Sequence, residues 1–361
     1  MVRRVVKSGI ACGIRWSGAG LLGRALGGRS REPWIVGYHR VVEDYRRSAR
    51  DSVAATLISR SMLQRHLEWI GRRFDFVPLD EIASRLGRGG RRRRPAAAVT
   101  FDDGYADVYE QAFPLLKARG IPAAVFVLTA LVGTTRIPLY DRLYLALVRA
   151  RDQWPSPAPG LARVASRAGI RIAGLDGPRS MALEPLRALR LLLETLRQEE
   201  LERLAVELET EVGVDETALR ERRPLTWDML EEMQRSGVTI GSHSRTHRLL
   251  TKEDRDTVER ETRGSRRDLE QRLGAAVRHF AYPNGWFNAA TIEAVKEAGY
   301  RCAYTSCRHR DLDRPLHTLP RTLLWENSSL GPFGGFSPAV MGCQADGIFD
   351  RAALCPLDHR N

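Results

Sequence analysis

The sequence predicts an α/β protein on a parallel sheet, with strands enough for a barrel of about seven βα units. Two stretches carry that reading. In the first, the apolar run AAAVTF ends at Phe101, a helical stretch runs from about Asp107 to Arg119 and closes at Gly120 and Pro122, and the strand AAVFVL follows from Ala123 to Leu128. In the second, strands VTIGSH, HFAYP and YRCAYTS alternate with helices near Trp227 to Ser236, from Lys252 to Leu273, and over NAATIEAVKEAG.

The other elements follow in chain order. WIVGY, Trp34 to Tyr38, reads as a first strand, with a helix through Met62 to Phe74 after it. From about Thr134 to Arg223 the alternation is interrupted. There IPLYDRLYLALVRARD reads helical, a Pro/Gly-rich stretch follows, and Leu186, Leu189, Leu193 and Leu196, then Leu201, Leu204 and Leu208, mark a long amphipathic segment. This is a helical insertion in a barrel spanning residues 34–325. Past Arg321 the chain turns Gly-rich, and residues 326–361 read as a C-terminal tail without a definite element.

Residues 1–33 form a basic N-terminal segment. Lys7, Arg15 and Arg24 interrupt its apolar stretches too often for a transmembrane helix and awkwardly for a signal peptide. Val6, Ile10 and Ile14 recur at helical spacing between basic residues, which suits a helix on a membrane surface or one packed on the domain.

Composition narrows the class. Hydrophobic residues at 43% and charged residues at 28% fit a globular protein and argue against disorder. The net charge of +13 raises nucleic-acid binding. However, the Arg residues are scattered, and the densest run, Arg91 to Arg94, has no recognition helix or stacking aromatics beside it, so no specific nucleic-acid partner is expected. Five cysteines without a CxxC pair indicate neither a disulfide framework nor a zinc ribbon, and favour a reducing compartment.

Three segments carry chemistry. TFDDGY, Thr100 to Tyr105, puts two carboxylates at the C-terminal end of a buried strand, the active-site face of parallel α/β barrels. GSHSRTH, Gly241 to His247, ends another strand with two histidines four apart. On a helical turn both imidazoles would leave one face about 5–6 Å apart, suited to one metal ion with a carboxylate from another strand completing a His2Asp set. FAYPNG, Phe280 to Gly285, is a strand end and turn whose amides could face a reacting oxygen.

In this order the three segments resemble the polysaccharide deacetylases of the NodB-homology family over roughly residues 34–325. That resemblance implies a distorted (β/α) barrel that removes acetyl groups from N-acetylated sugars. By position it implies Asp102 as general base, Asp103, His243 and His247 as metal ligands, and the Tyr282 backbone N–H as an oxyanion donor. The chain departs from the family pattern twice. The Arg that commonly opens the third motif is Ala281 here, and Arg321 in LPR is the candidate substitute. The late Leu-x-His that supplies the acid has no clear match, since His317 in PLHTLP reads as a loop residue. The early YHRV instead resembles the YH segment of deacetylases with permuted strand order, which makes His39 the candidate general acid.

The chemistry asks for these groups. An amide is a poor electrophile with a poor leaving group, so a divalent metal is expected to polarise the carbonyl, with zinc first and cobalt or nickel compatible with a His2Asp set. Two rival readings stand beside this one: a metal amidohydrolase of the same fold acting on a small amide, and a glycan-binding barrel without catalysis. The expected partner is an N-acetylated glycan, with peripheral membrane contact through residues 1–33. With no clear signal peptide, the expected location is the cytoplasm or the periphery of the inner membrane, with export left open because exported glycans are the family's commoner targets.

Overall fold

The computed structural model describes residues 33–86, 94–173, 175 and 184–349. The basic N-terminal segment, most of the Arg91 to Arg94 run and the last residues of the tail lie outside them. Among the described residues no helix is long and apolar enough to cross a membrane.

The strands are β1 (Trp34–Tyr38), β2 (Arg40–Val42), β3 (Leu57–Ser59), β4 (Asp75–Phe76), β5 (Ala96–Phe101), β6 (Ala123–Val127), β7 (Thr239–Ser242), β8 (His279–Ala281), β9 (Cys302–Thr305), β10 (Leu319–Pro320) and β11 (Thr322–Leu323). Every pairing between them is parallel. The main sheet runs β10-β9-β8-β7-β6-β5-β1-β11, with β4 joined to the start of β5, while β2 and β3 pair separately. Its two ends are consecutive in the chain. β10 pairs with β9 and β11 with β1, and only Arg321 stands between them. The sheet therefore nearly closes into a distorted barrel with Arg321 at the seam.

The alternation of side chains along a strand separates inside from outside. Trp34, Val36 and Tyr38 pack with the surrounding helices, including Leu63, Leu67 and Ile70 of the helix Arg60–Gly71. Ile35, Ala98, Ala124, Phe126, Ala281 and Tyr304 fill the interior. Small residues make room for the few large ones: a Cβ on Gly241 would sit 2.6 Å from the Phe126 ring. Continued upward, the inward face of β5 is Ala98, Thr100, Asp102 and that of β1 is Gly37, His39. The same alternation that buries apolar residues below delivers polar ones at the C-terminal mouth.

The insertion forms the helices Leu139–Gln153, Pro157–Arg167, Pro185–Thr195, Gln198–Val212 and Glu216–Arg220, with a core of its own that includes Leu143, Leu161, Leu192, Leu204 and Leu208. The Leu-rich stretch is two helices, not one. The 326–349 part of the expected tail is folded. Ser337 caps a helix at Pro338–Ala345 with Pro at its first position, and Val340 and Met341 are fully buried. Ser329 Oγ meets His66 Nε2 at 2.6 Å, fastening this segment to the helix Arg60–Gly71, and Gln344 donates to the Ser328 carbonyl within the segment.

Candidate active site

Asp102, Asp103, His243, His247, His39 and Arg321 gather at the barrel mouth. Asp102 continues β5, its amide donating to the Tyr38 carbonyl at 2.9 Å, and its side chain points inward. Asp103 would point outward by strand alternation, but its backbone is left-handed, with φ 70°, and this turns the second carboxylate back into the site. Gly104 follows, also at positive φ, and a Cβ there would meet Val127 Cγ1 at 2.9 Å. Glycine is required at that close approach.

The two histidines lie on a loop, not on the helical turn expected. After β7 the chain has left-handed backbone at Ser244 (φ 68°) and His247 (φ 65°). Glu261 supports the loop, accepting from the Arg245 and Thr246 amides at 2.8 and 2.9 Å. Among the described residues the non-glycine positions with positive φ are Asp103, Ser244, His247 and Asn284. All four fall in the three segments singled out above, and such strain of about 1–3 kcal/mol per residue persists only where surroundings impose it.

Asp103 Oδ1 is buried and lacks a hydrogen-bond partner. It lies 3.4 Å from His243 Nε2 and 3.6 Å from His247 Nε2. His243 Nδ1 donates to the Ala281 carbonyl at 2.7 Å, which leaves the Nε2 lone pair facing the carboxylate. Burial holds His243 at about 4, against the opposing pull of Asp102, and burial followed by the neighbouring His243 and His39 holds His247 well below the usual imidazole range. Burial, then the Asp102 charge, push Asp103 well above the usual carboxylate range. Two imidazole lone pairs and an unpartnered carboxylate oxygen thus converge, all within 4.8 Å. A cation would resolve their mutual repulsion, so the donor set fits a divalent metal.

Arg321 grips Asp102 with both ends of its fork, at 2.6 and 2.8 Å, and also donates to Thr100 Oγ1 at 3.2 Å. Burial alone would raise Asp102, but Arg321, His243 and His39 outweigh it and hold the carboxyl at about 2. The third-motif position is indeed occupied by Ala281, whose side chain fills the interior, and the arginine arrives from the seam instead. His39 follows β1 within electrostatic reach of Asp102 and Arg321, and burial, only partly opposed by Asp102, lowers its pKa. His317 stays apart, bonded to the Tyr300 carbonyl.

A second expectation is corrected. The Tyr282 amide does not face the site but donates to the Tyr304 carbonyl at 3.0 Å, because the β8–β9 ladder runs one residue past the strand end. Two residues escaped the sequence reading: Tyr140 of the insertion, whose ring centroid lies 5.0 Å from that of His247, and Asp141, buried beside it. They read there as one turn of an ordinary helix.

Comparison with known proteins bears on the family and the fold. The family described as Polysaccharide deacetylase matches residues 89–174 and 191–303, more than half of the chain. The Bacillus subtilis (strain 168) protein named "Putative polysaccharide deacetylase YxkH" is 26% identical over 77 residues, which are 21% of this chain and 28% of that relative's length. Among solved structures, the Streptococcus pyogenes deacetylase PplD in complex with acetate superposes with a TM-score of 0.53 at 16% identity, covering 86% of this chain and 96% of that one. IcaB from Ammonifex degensii superposes at 0.52 and 19% identity, covering 89% and 98%. These likenesses establish a shared fold, and the matched sequence establishes the lineage: the chain belongs to the polysaccharide deacetylase family.

Proposed function

We propose that this protein is a metal-dependent N-deacetylase acting on N-acetylated sugars of a polysaccharide or glycan precursor. The observation that carries the reading is the buried, partnerless Asp103 Oδ1 set against two imidazole nitrogens, beside an Asp102 already held by Arg321. Asp103, His243 and His247 would hold the cation, zinc first and cobalt or nickel compatible. A divalent ion there supplies a Lewis acid for the acetamide carbonyl and lowers the pKa of an attacking water.

The remaining work falls to side chains of this chain. Asp102, which the Arg321 fork holds below the usual carboxylate range, takes the proton of the attacking water. Arg321 keeps that carboxylate in one orientation. His39, at the same mouth and near Asp102, relays to the departing amine the proton that Asp102 took from the water, so that none is gained or lost overall. The shared fold with a deacetylase that holds acetate supports this reading. The insertion walls one side of the mouth, where Leu139, Tyr140, Leu201 and Leu249 line a small hollow beside His247.

The test is release of acetate from N-acetylglucosamine oligomers by protein stripped with a chelator and then resupplied with zinc, cobalt or nickel. Metal-restored release supports the reading, and release that survives chelation contradicts it.

A further inference from the structure

The insertion enters and leaves the barrel at the DDGY loop. On the way in, the helix Leu139–Gln153 carries Tyr140 and Asp141 in its first turn. On the way out, Pro224 bridges to Tyr105, and the Leu225 amide donates to the Gly104 carbonyl at 2.8 Å. Tyr140 stands at the centre of this junction. Its ring packs on His247, and its hydroxyl faces the Asp103 carboxylate and meets the Tyr105 hydroxyl. Tyr105 in turn donates to Asp141 Oδ2 at 2.7 Å. Each phenol has one proton. That of Tyr105 goes to Asp141, so that of Tyr140 is available to the Tyr105 oxygen, with the Asp103 carboxylate alongside.

The need for such a support follows from the backbone. Asp103 and His247 both sit in the left-handed region, which their surroundings must impose. His243 has the Ala281 carbonyl to fix its ring. Among the described residues the His247 ring is hydrogen-bonded to no other residue, and its orientation is set by packing against Tyr140 and His243.

We propose that Tyr140 is a positioning residue for the metal ligands Asp103 and His247, so that the insertion completes the metal centre instead of merely walling the cleft. Tyr105 and Asp141 hold its hydroxyl in place. This rests on the metal-binding reading above.

The test is zinc affinity, measured by competition with a chromophoric chelator, for wild type, Tyr140→Phe, Asp141→Asn and Asp141→Leu, with thermal unfolding of each metal-free protein as the control for folding. Tyr140→Phe keeps the ring and is expected to bind zinc roughly 10–100-fold more weakly, with acetate release recovering as zinc is raised. Asp141→Asn keeps an acceptor for Tyr105 and is expected to lose less affinity than Asp141→Leu. Zinc affinity of Tyr140→Phe within about twofold of wild type, well below that expected loss, would overturn the positioning role and leave the deacetylase reading standing. Failure of wild type itself to bind zinc would overturn both.

Discussion

Arg321 and Asp102 stand 219 residues apart in the chain and meet as a two-pronged, fully buried ion pair at the seam of the barrel. The pair joins the strand that closes the sheet to the strand that carries the candidate base. Lysine offers a point charge and cannot reproduce the fork. Arg321→Lys is expected to lower kcat/KM by about 100-fold through misorientation of Asp102. Arg321→Ala strands a buried carboxylate and is expected to cost about 3–5 kcal/mol of stability. Acetate-release kinetics and denaturant unfolding read the two effects separately, and an Arg321→Lys enzyme with wild-type kcat/KM would remove the orienting role.

His39 lies at the mouth but outside the ligand cluster. His39→Gln is therefore expected to reduce kcat by about 10²–10⁴-fold, the usual worth of a positioned acid, while zinc affinity stays at the wild-type level. Loss of zinc binding in this variant would instead assign His39 to the metal.

Acid stability should report on His66, which burial depresses to about 3 between the neutral partners Tyr38 and Ser329. The folded state refuses a proton that the unfolded chain accepts below about 6.5. Stability is thus complete above that pH and is lost as pH falls from 6.5 toward 3, at about 1.4 kcal/mol per pH unit for this one group. Urea unfolding of wild type and His66→Gln between pH 7 and pH 4.5 should show a shallower slope in the variant by about that amount. Equal slopes would place the acid sensitivity elsewhere.

Gly104→Ala adds a Cβ at positive φ against Val127. A cost on the order of 2 kcal/mol is expected from the left-handed backbone and the contact. Since Asp103 precedes it in the same turn, weaker zinc binding should accompany the loss. A stable Gly104→Ala protein with unchanged zinc affinity would show that the turn tolerates the shift.

Much of this architecture was legible because period and position carry it. The runs WIVGY, AAAVTF and AAVFVL are strands as read, and their C-terminal ends bear the site. What could not be read depended on contacts distant in sequence or on backbone geometry. DDG hints at a left-handed residue, yet nothing in HSRTH marks Ser244 and His247 as left-handed, so the spacing of four suggested a helical turn. LPR is an unremarkable tripeptide until the chain closes on both β9 and β1. Tyr140 lies within a periodic helical run whose apolar stripe obscured the residue turned toward the barrel. The helix Pro338–Ala345 did carry a signal, Ser337 before Pro338, which the glycines around it outweighed.

Asp103, with His243 and His247, is proposed to hold a catalytic metal. Zinc binding and acetate release from N-acetylglucosamine oligomers, measured side by side for wild type and Asp103→Asn, test it most directly. Wild type is expected to bind zinc and to lose release on chelation, regaining it on resupply, while Asp103→Asn is expected to bind zinc at least about 100-fold more weakly and to release no acetate. Wild-type rates from Asp103→Asn, or from chelated wild type, would contradict it.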